Sequence, residues 1–332
     1  MSAAAPAAVL PRVMYRRRAE CRTLSPGILA AISFGAGDPL FADPRCVDIG
    51  LRQLNDEDMI ELWISHGAVR FGTAGPLRYA MDDDFLFGIV EIDERRYDGI
   101  AAAAGAAYRA IVDFQRESSH AHVLRMWNYF DRINDGDADA ERYKQFCLGR
   151  ASGLADSAIG ALPAATGIGR LNGSPILQVY WLAGRVPGIA LENPRQTSAF
   201  RYPRQYGPAA PSFSRAMVVS NSGVVISGTA SIVGFQSRHA GDLAAQLQET
   251  TTNLKAVLAA AAQTAPGVPP EFDGNSLFKL YLRDAALRDD CVALLRQQLP
   301  EAAPLLTLEA DICRRDLLLE IECIHAAAAG AA

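Results

Sequence analysis

One order of elements occurs twice along this chain, and it constrains the fold more than any single motif does. From residue 61 the apolar pattern predicts strands over 61–64, 68–71 and 85–92, a helix over 98–116, a strand over 122–129, a helix over 139–154 and a strand over 176–182. Beyond a Pro- and Arg-rich stretch over 184–211, strands over 216–220 and 223–226 flank the turn-forming Asn221-Ser222-Gly223, and 231–235 extends their sheet. A helix over 242–262 follows, with Leu243, Leu247, Leu254 and Leu258 on one side, then a strand over 277–282 and a helix over 284–299. Runs over 305–310 and 316–324 read as a closing antiparallel pair. This order defines an α+β chain of two modules, each a mixed sheet with helices packed on one face. With 332 residues, 50 % of them hydrophobic, the chain is long enough for two such cores. The expected division is an irregular N-terminal arm over 1–58, with a short strand near 11–15, then domains over 59–190 and 191–332.

Charge and cysteine usage narrow the function classes. Lys and Arg number 32 against 37 Asp and Glu, a net charge of -5, and no long basic tract is present to track a phosphate backbone, so no nucleic-acid partner is expected. No apolar run reaches the ~18 to 20 residues that cross a bilayer, and the basic cluster Arg16 to Arg18 follows the apolar N-terminal stretch. A cytoplasmic, membrane-free monomer is expected. Cys21, Cys46, Cys147, Cys291, Cys313 and Cys323 are scattered without a C-x-x-C pair, which fits reduced thiols and neither zinc nor disulfides. His120 and His122, two residues apart, read as polar loop residues or as a metal pair, and the former reading is preferred.

Three places carry chemistry. Arg195, Arg201, Arg204 and Arg215 are interleaved with Phe200, Tyr202, Tyr206 and Phe213 and stiffened by prolines; guanidinium forks and tyrosine hydroxyls suit a small cyclic acid, and a solvated Arg-rich loop is the bland alternative. Tyr143 and Arg150, seven residues apart on the predicted helix, share one side of it and can face a common cleft or serve as packing and a surface charge. The most informative stretch runs from Asp316 to His325, an apolar strand carrying Glu320 and Glu322 on one face, ~7 Å apart. A carboxylate drawn into an apolar site has its proton affinity raised, which makes a general acid; on an edge strand the same charges would deter aggregation. Gly167-Ile168-Gly169 follows no clear strand, and phosphate-binding loops and nucleophile elbows are absent from the sequence. A site working without metal or organic cofactor, by acid/base chemistry, is the expectation.

Together, Tyr202-Pro203-Arg204-Gln205-Tyr206-Gly207-Pro208, Ser227-Gly228-Thr229-Ala230-Ser231 and Glu320-Ile321-Glu322-Cys323-Ile324-His325 resemble the chorismatases, which split pyruvate from chorismate, and in particular their xanthomonad-type bifunctional chorismate lyase/3-hydroxybenzoate synthase branch. The resemblance extends over most of the chain after about residue 30. It implies two modules similar to the YjgF-like imine-deaminase fold, with catalysis in the C-terminal one. It also implies chorismate as substrate, 3- and 4-hydroxybenzoate as products, and a place in pigment and ubiquinone precursor supply. Residue by residue, it implies substrate contacts from Tyr143 and Arg150 and from Tyr202 and Arg215, a catalytic Glu at Glu320, and a product-determining Cys at Cys313, seven residues earlier. Glu322 fits that spacing less well, because Arg315 stands seven residues before it. Between Gly228 and Ala230 the second product-determining position stays open. In this reading Arg150 and Arg215 each pair one carboxylate of the dianion, and Glu320 protonates the enolpyruvyl group. An imine/enamine hydrolase and a non-catalytic small-acid-binding protein are the alternatives.

Overall fold

The computed structural model describes residues 9–35, 40–155, 162–220 and 223–327; of the expected turn, Asn221 and Ser222 lie outside them. Two seven-stranded mixed sheets form the body of the molecule. In the N-terminal sheet the order is Asp311–Ile312, Ala164–Arg170, His122–Asp131, Ile176–Gly184, Phe85–Asp93, Leu77–Met81 and Arg70–Ala74. In the C-terminal sheet it is Ile189–Leu191, Ala216–Ser220, Gly223–Thr229, Leu319–Ala326, Leu277–Leu282, Leu305–Glu309 and Arg52–Gln53.

Each sheet thus contains a hairpin, the strand that closes the module, and two parallel strands joined by a helical crossover, in the same spatial order. The duplication expected from element order is present in the topology. Helices α1 (Gly99–Glu117) and α2 (Arg142–Leu154) bury apolar side chains against one face of the first sheet, through Ile100, Tyr108, Ile111 and Phe146 among others. In the second module α3 (Leu243–Thr264) and α4 (Arg288–Arg296) do the same through Leu247, Leu254, Leu258 and Leu295. The opposite faces of both sheets meet in a shared core that includes Trp127, Tyr129, Tyr180, Tyr281 and Leu306.

Several expectations need correction. Residues 9–58 are not an irregular arm. They supply strands Arg12–Arg17, Ile28–Ser33 and Cys46–Asp48 of a four-stranded sheet completed by Met59–Ile64, and Leu29, Ile32 and Phe34 enter the shared core. Every residue of Ile28–Ser33 is buried, so it lacks the alternation that marks a half-exposed strand. Gly167-Ile168-Gly169 is itself strand, in Ala164–Arg170. Its glycines are there for contact: a Cβ on Gly169 would stand 2.4 Å from Ile133 Cγ2. The run over 231–235 does not extend the sheet; Ile232–Val233 pairs only with Gln236–Ser237. The final two runs are not paired with each other either. Leu305–Glu309 lies parallel to Leu277–Leu282, as a helical crossover requires, and Leu319–Ala326 inserts between Leu277–Leu282 and Gly223–Thr229, antiparallel to both.

Candidate active site

The site forms at the seam where Ala164–Arg170 of one sheet meets Gly223–Thr229 of the other. Ala165 N donates to Ser227 Oγ at 2.9 Å, and Gly228 N donates to Thr166 Oγ1 at 2.9 Å. Above this seam opens a cleft of about 860 Å³, counted to its mouth, roofed by α2 and by the segment around Tyr202 and Phe213. Tyr143, Arg150, Tyr202, Arg215, Cys313 and Glu320 all line it.

Helical spacing puts Tyr143, Cys147 and Arg150 on the inner side of α2. The helix is held down on α1 by glycine: a Cβ on Gly149 would lie 2.0 Å from the carbonyl oxygen of Ala101. Arg150 is 4 % exposed, its guanidinium carbon 5.0 Å from the Tyr108 ring centre and its Nη2 3.9 Å from Met126 Sδ. Arg215, 5 % exposed, donates through Nη2 to Tyr202 Oη at 2.7 Å and to the Thr197 carbonyl at 2.9 Å. The Nε of each is buried without a hydrogen-bond partner, and among the described residues neither guanidinium has a carboxylate within ion-pairing distance. A buried cation left in this state gains strongly from an anionic ligand.

Of the four arginines of the basic loop, only Arg215 lines the cleft. Arg195 pairs with Glu249 at 2.6 Å, Arg204 with Asp139 at 2.5 Å on the surface, and Arg201 is exposed beside Phe200.

Glu320 and Glu322 share a face of their strand but not an environment. Glu320 is 4 % exposed and accepts no hydrogen bond from the described residues. Burial and then the neighbouring Glu322 anion push its carboxyl up to about 8, against the opposing pull of Arg125 and Arg215. Burial pushes Glu322 up as well, but Lys279 at 2.8 Å and Arg125 at 2.6 Å outweigh it and hold this carboxylate below its ordinary range. Thr166 Oγ1 and Trp127 Nε1 also donate to Glu322, at 2.7 and 3.1 Å. One residue is a carboxylic acid at neutral pH and the other an anion.

Cys313 follows Asp311–Ile312, an edge strand of the opposite module's sheet, and is not on a hairpin with Glu320. Burial, reinforced by Glu320, raises its thiol well above the ordinary range, so it is not poised as a thiolate. Gly228 lies against the acid: a Cβ there would overlap Glu320 Oε1 at 1.8 Å, while Ala230 also lines the cleft. Sequence reasoning missed Thr166, hidden in a glycine-containing strand. It also missed Arg314, whose guanidinium carbon lies 4.2 Å from the Tyr206 ring centre at the cleft wall and which no spacing distinguishes. His120 is buried and His122 exposed, so they do not form a pair; among the described residues no group of three His, Cys, Asp or Glu side chains is arranged to hold a metal.

A carboxyl of raised proton affinity that shares one cleft with two buried guanidinium groups is equipped to deliver a proton to a small organic dianion. Comparison with known proteins gives the family. The family model described as chorismatase FkbO/Hyg5-like, N-terminal, matches residues 61–183. A chorismatase of Streptomyces rapamycinicus is 36 % identical over 283 residues, covering 80 % of this chain and 82 % of the relative. A 3-hydroxybenzoate synthase of Streptomyces hygroscopicus is 33 % identical over 284 residues, covering 80 % and 81 %. A chorismatase crystal structure at 1.08 Å resolution superposes with a TM-score of 0.85 and 29 % identity, covering 96 % of this chain and all of that one. The chain belongs to the chorismatase family.

Proposed function

We propose that this protein cleaves chorismate to pyruvate and 3-hydroxybenzoate, with 4-hydroxybenzoate as a second product, as in the xanthomonad-type bifunctional branch. The observation that carries this reading is the buried Glu320, without a hydrogen-bond partner among the described residues, lying in one cleft with Arg150 and Arg215, in a chain whose relatives are a chorismatase and a 3-hydroxybenzoate synthase. The two arginines each take one carboxylate of the dianion and fix the ring over Glu320, with Tyr202 held by Arg215 and Tyr143 closing the opposite side.

Glu320 gives its proton to the terminal methylene carbon of the enolpyruvyl ether. The ether carbon becomes an oxocarbenium-like cation, stabilised by the carboxylate just formed. Pyruvate then departs, and the ring loses a proton as it becomes aromatic, which returns Glu320 to its acid form. Pyruvate plus either hydroxybenzoate has the atoms of chorismate, so the sum consumes no water, oxidant or reductant. Departure with rearrangement through an arene-oxide-like intermediate gives the 3-isomer; retention of the ring oxygen gives the 4-isomer. Cys313 bounds the ring pocket and steers between outcomes without forming a covalent bond.

Incubation with chorismate, following pyruvate with time and separating the aromatic products, tests the reading. Pyruvate with both hydroxybenzoates is expected. No pyruvate from chorismate, together with hydrolysis of 2-aminoacrylate, would replace it with the imine/enamine hydrolase.

A further inference from the structure

Beneath the cleft lies a buried charge cluster in which the four-stranded sheet takes part, through Glu61. Lys279 Nζ sits 2.7 Å from Glu61 Oε2 and 2.8 Å from Glu322 Oε1, and Arg125 Nη2 sits 2.6 Å from Glu322 Oε2. Glu61 is held from its own strand by Trp63 Nε1, which donates to Oε1 at 2.7 Å, and the Phe34 ring lies 4.7 Å from Lys279 Nζ. Two cations therefore face two anions, in a place where all four side chains are buried.

We propose that Glu61 is a positioning residue for the acid at Glu320: it balances Lys279, so that the cluster has no net positive charge with which to draw Glu320 into its anionic form. This inference rests on the acid role given to Glu320 above. With Glu61 neutral, Lys279 and Arg125 would face Glu322 alone, and the surplus positive charge would stand one strand repeat from Glu320 in a medium that screens poorly. The remaining titratable and charged groups around Glu320 are Arg215 at the strand edge, Tyr143 and Arg150 on α2, Cys313 and Arg314 on the cleft wall and Tyr281 directly across the sheet, and none of them has a hydrogen bond or ion pair to Glu61 among the described residues. Tyr15, on the strand paired with that of Glu61, feels Glu61 and is kept in its phenol form by burial.

The test reads the proton itself. The infrared C=O band of a protonated carboxyl that disappears in Glu320→Gln is assigned to Glu320 and titrated in Glu61→Gln, in Lys279→Gln and in the double variant. Glu61→Gln should lower the midpoint by about one pH unit, and the double variant, which removes both charges, should return it to within a few tenths of the parent. An unmoved midpoint in Glu61→Gln, or a double variant that stays low, overturns the proposal. Should Glu61→Gln alone fail to fold, the double variant must titrate below Lys279→Gln, and equal midpoints there overturn it as well. The alkaline limb of pyruvate release should follow the infrared midpoint. A band that moves while that limb does not leaves the charge balance standing and removes Glu320 as the acid.

Discussion

In the N-terminal module Gln178 lies opposite Tyr129 on the strand that closes the sheet; in the C-terminal module Glu320 lies opposite Tyr281 on the corresponding strand. The two tyrosines meet hydroxyl to hydroxyl at 2.8 Å where the modules face each other, so the two positions are related by the duplication. Gln178 is fully engaged: its amide donates to the Asp48 carbonyl at 2.8 Å and to Glu91 at 2.6 Å, and its oxygen accepts from Arg170 at 2.6 Å. Glu320 has no such partners and faces the cleft. The same topological position serves in one module to lock the four-stranded sheet onto the body and in the other to hold a proton, and the local partners alone make the difference.

The comparison is broken most severely at Glu320. Because a glutamine already occupies the related position, Glu320→Gln should fold normally while pyruvate release falls roughly 10²- to 10⁴-fold, the scale of general acid catalysis; near-normal release from the folded variant would remove its role. The sign of the pH dependence follows from the same group. Burial raises its pKa to about 8, and in the proposed mechanism the acid form acts, so activity should hold below that pH and decline above it. A rate that instead rises through pH 8 would mean that the carboxylate acts.

Next in size are the arginines. Arg150→Ala and Arg215→Ala should each weaken dicarboxylate binding by roughly 2 to 5 kcal/mol, since each leaves a ligand charge without its partner in a buried place. Arg201→Ala and Arg204→Ala, outside the cleft, should leave binding within experimental error, and titration calorimetry compares the four. Equal losses at Arg201 and Arg215 would move the site.

A smaller effect sharpens the comparison from the other module. Gln178→Glu sets a carboxylate oxygen against the Glu91 carboxylate and the Asp48 carbonyl, and it should cost about 1 to 3 kcal/mol of stability in denaturant unfolding without adding activity. Unchanged stability would mean that the Gln178 amide does not fasten the sheets. The smallest change in rate is expected at Cys313: Cys313→Ala should still release pyruvate while its ring product shifts from 3-hydroxybenzoate toward a dihydroxycyclohexadiene carboxylate, whose formation takes up one solvent water. Chromatography decides this. Lost pyruvate release would make the thiol essential, and an unchanged product ratio would make it packing alone.

Much of the architecture was legible because its signals are local. The strands Ala216–Ser220 and Leu277–Leu282 begin and end where their apolar runs do, and α1 is displaced by one residue at each end from its periodic pattern. Tyr143 and Arg150 reach one cleft because helical spacing requires a shared side. Illegible were Ile28–Ser33, whose burial on both faces erases alternation, and Ala164–Arg170, where glycines needed for close contact read as interruption. The exchange of Asp311–Ile312 into the other module's sheet is a pairing between distant segments and leaves no periodic trace.

By itself the sequence determined a duplicated α+β order and a strand on which Glu320 and Glu322 must share a face, since both follow from the periods of strand and helix. Which of the two carboxyls keeps its proton was decided only in three dimensions. Glu322 is ionised by Lys279 and by Arg125, 43 and 197 positions away in the sequence, and Glu320 is kept neutral by burial beside that anion. Proton affinity depends on the charges and water around a group, and here tertiary packing supplies the first and excludes the second.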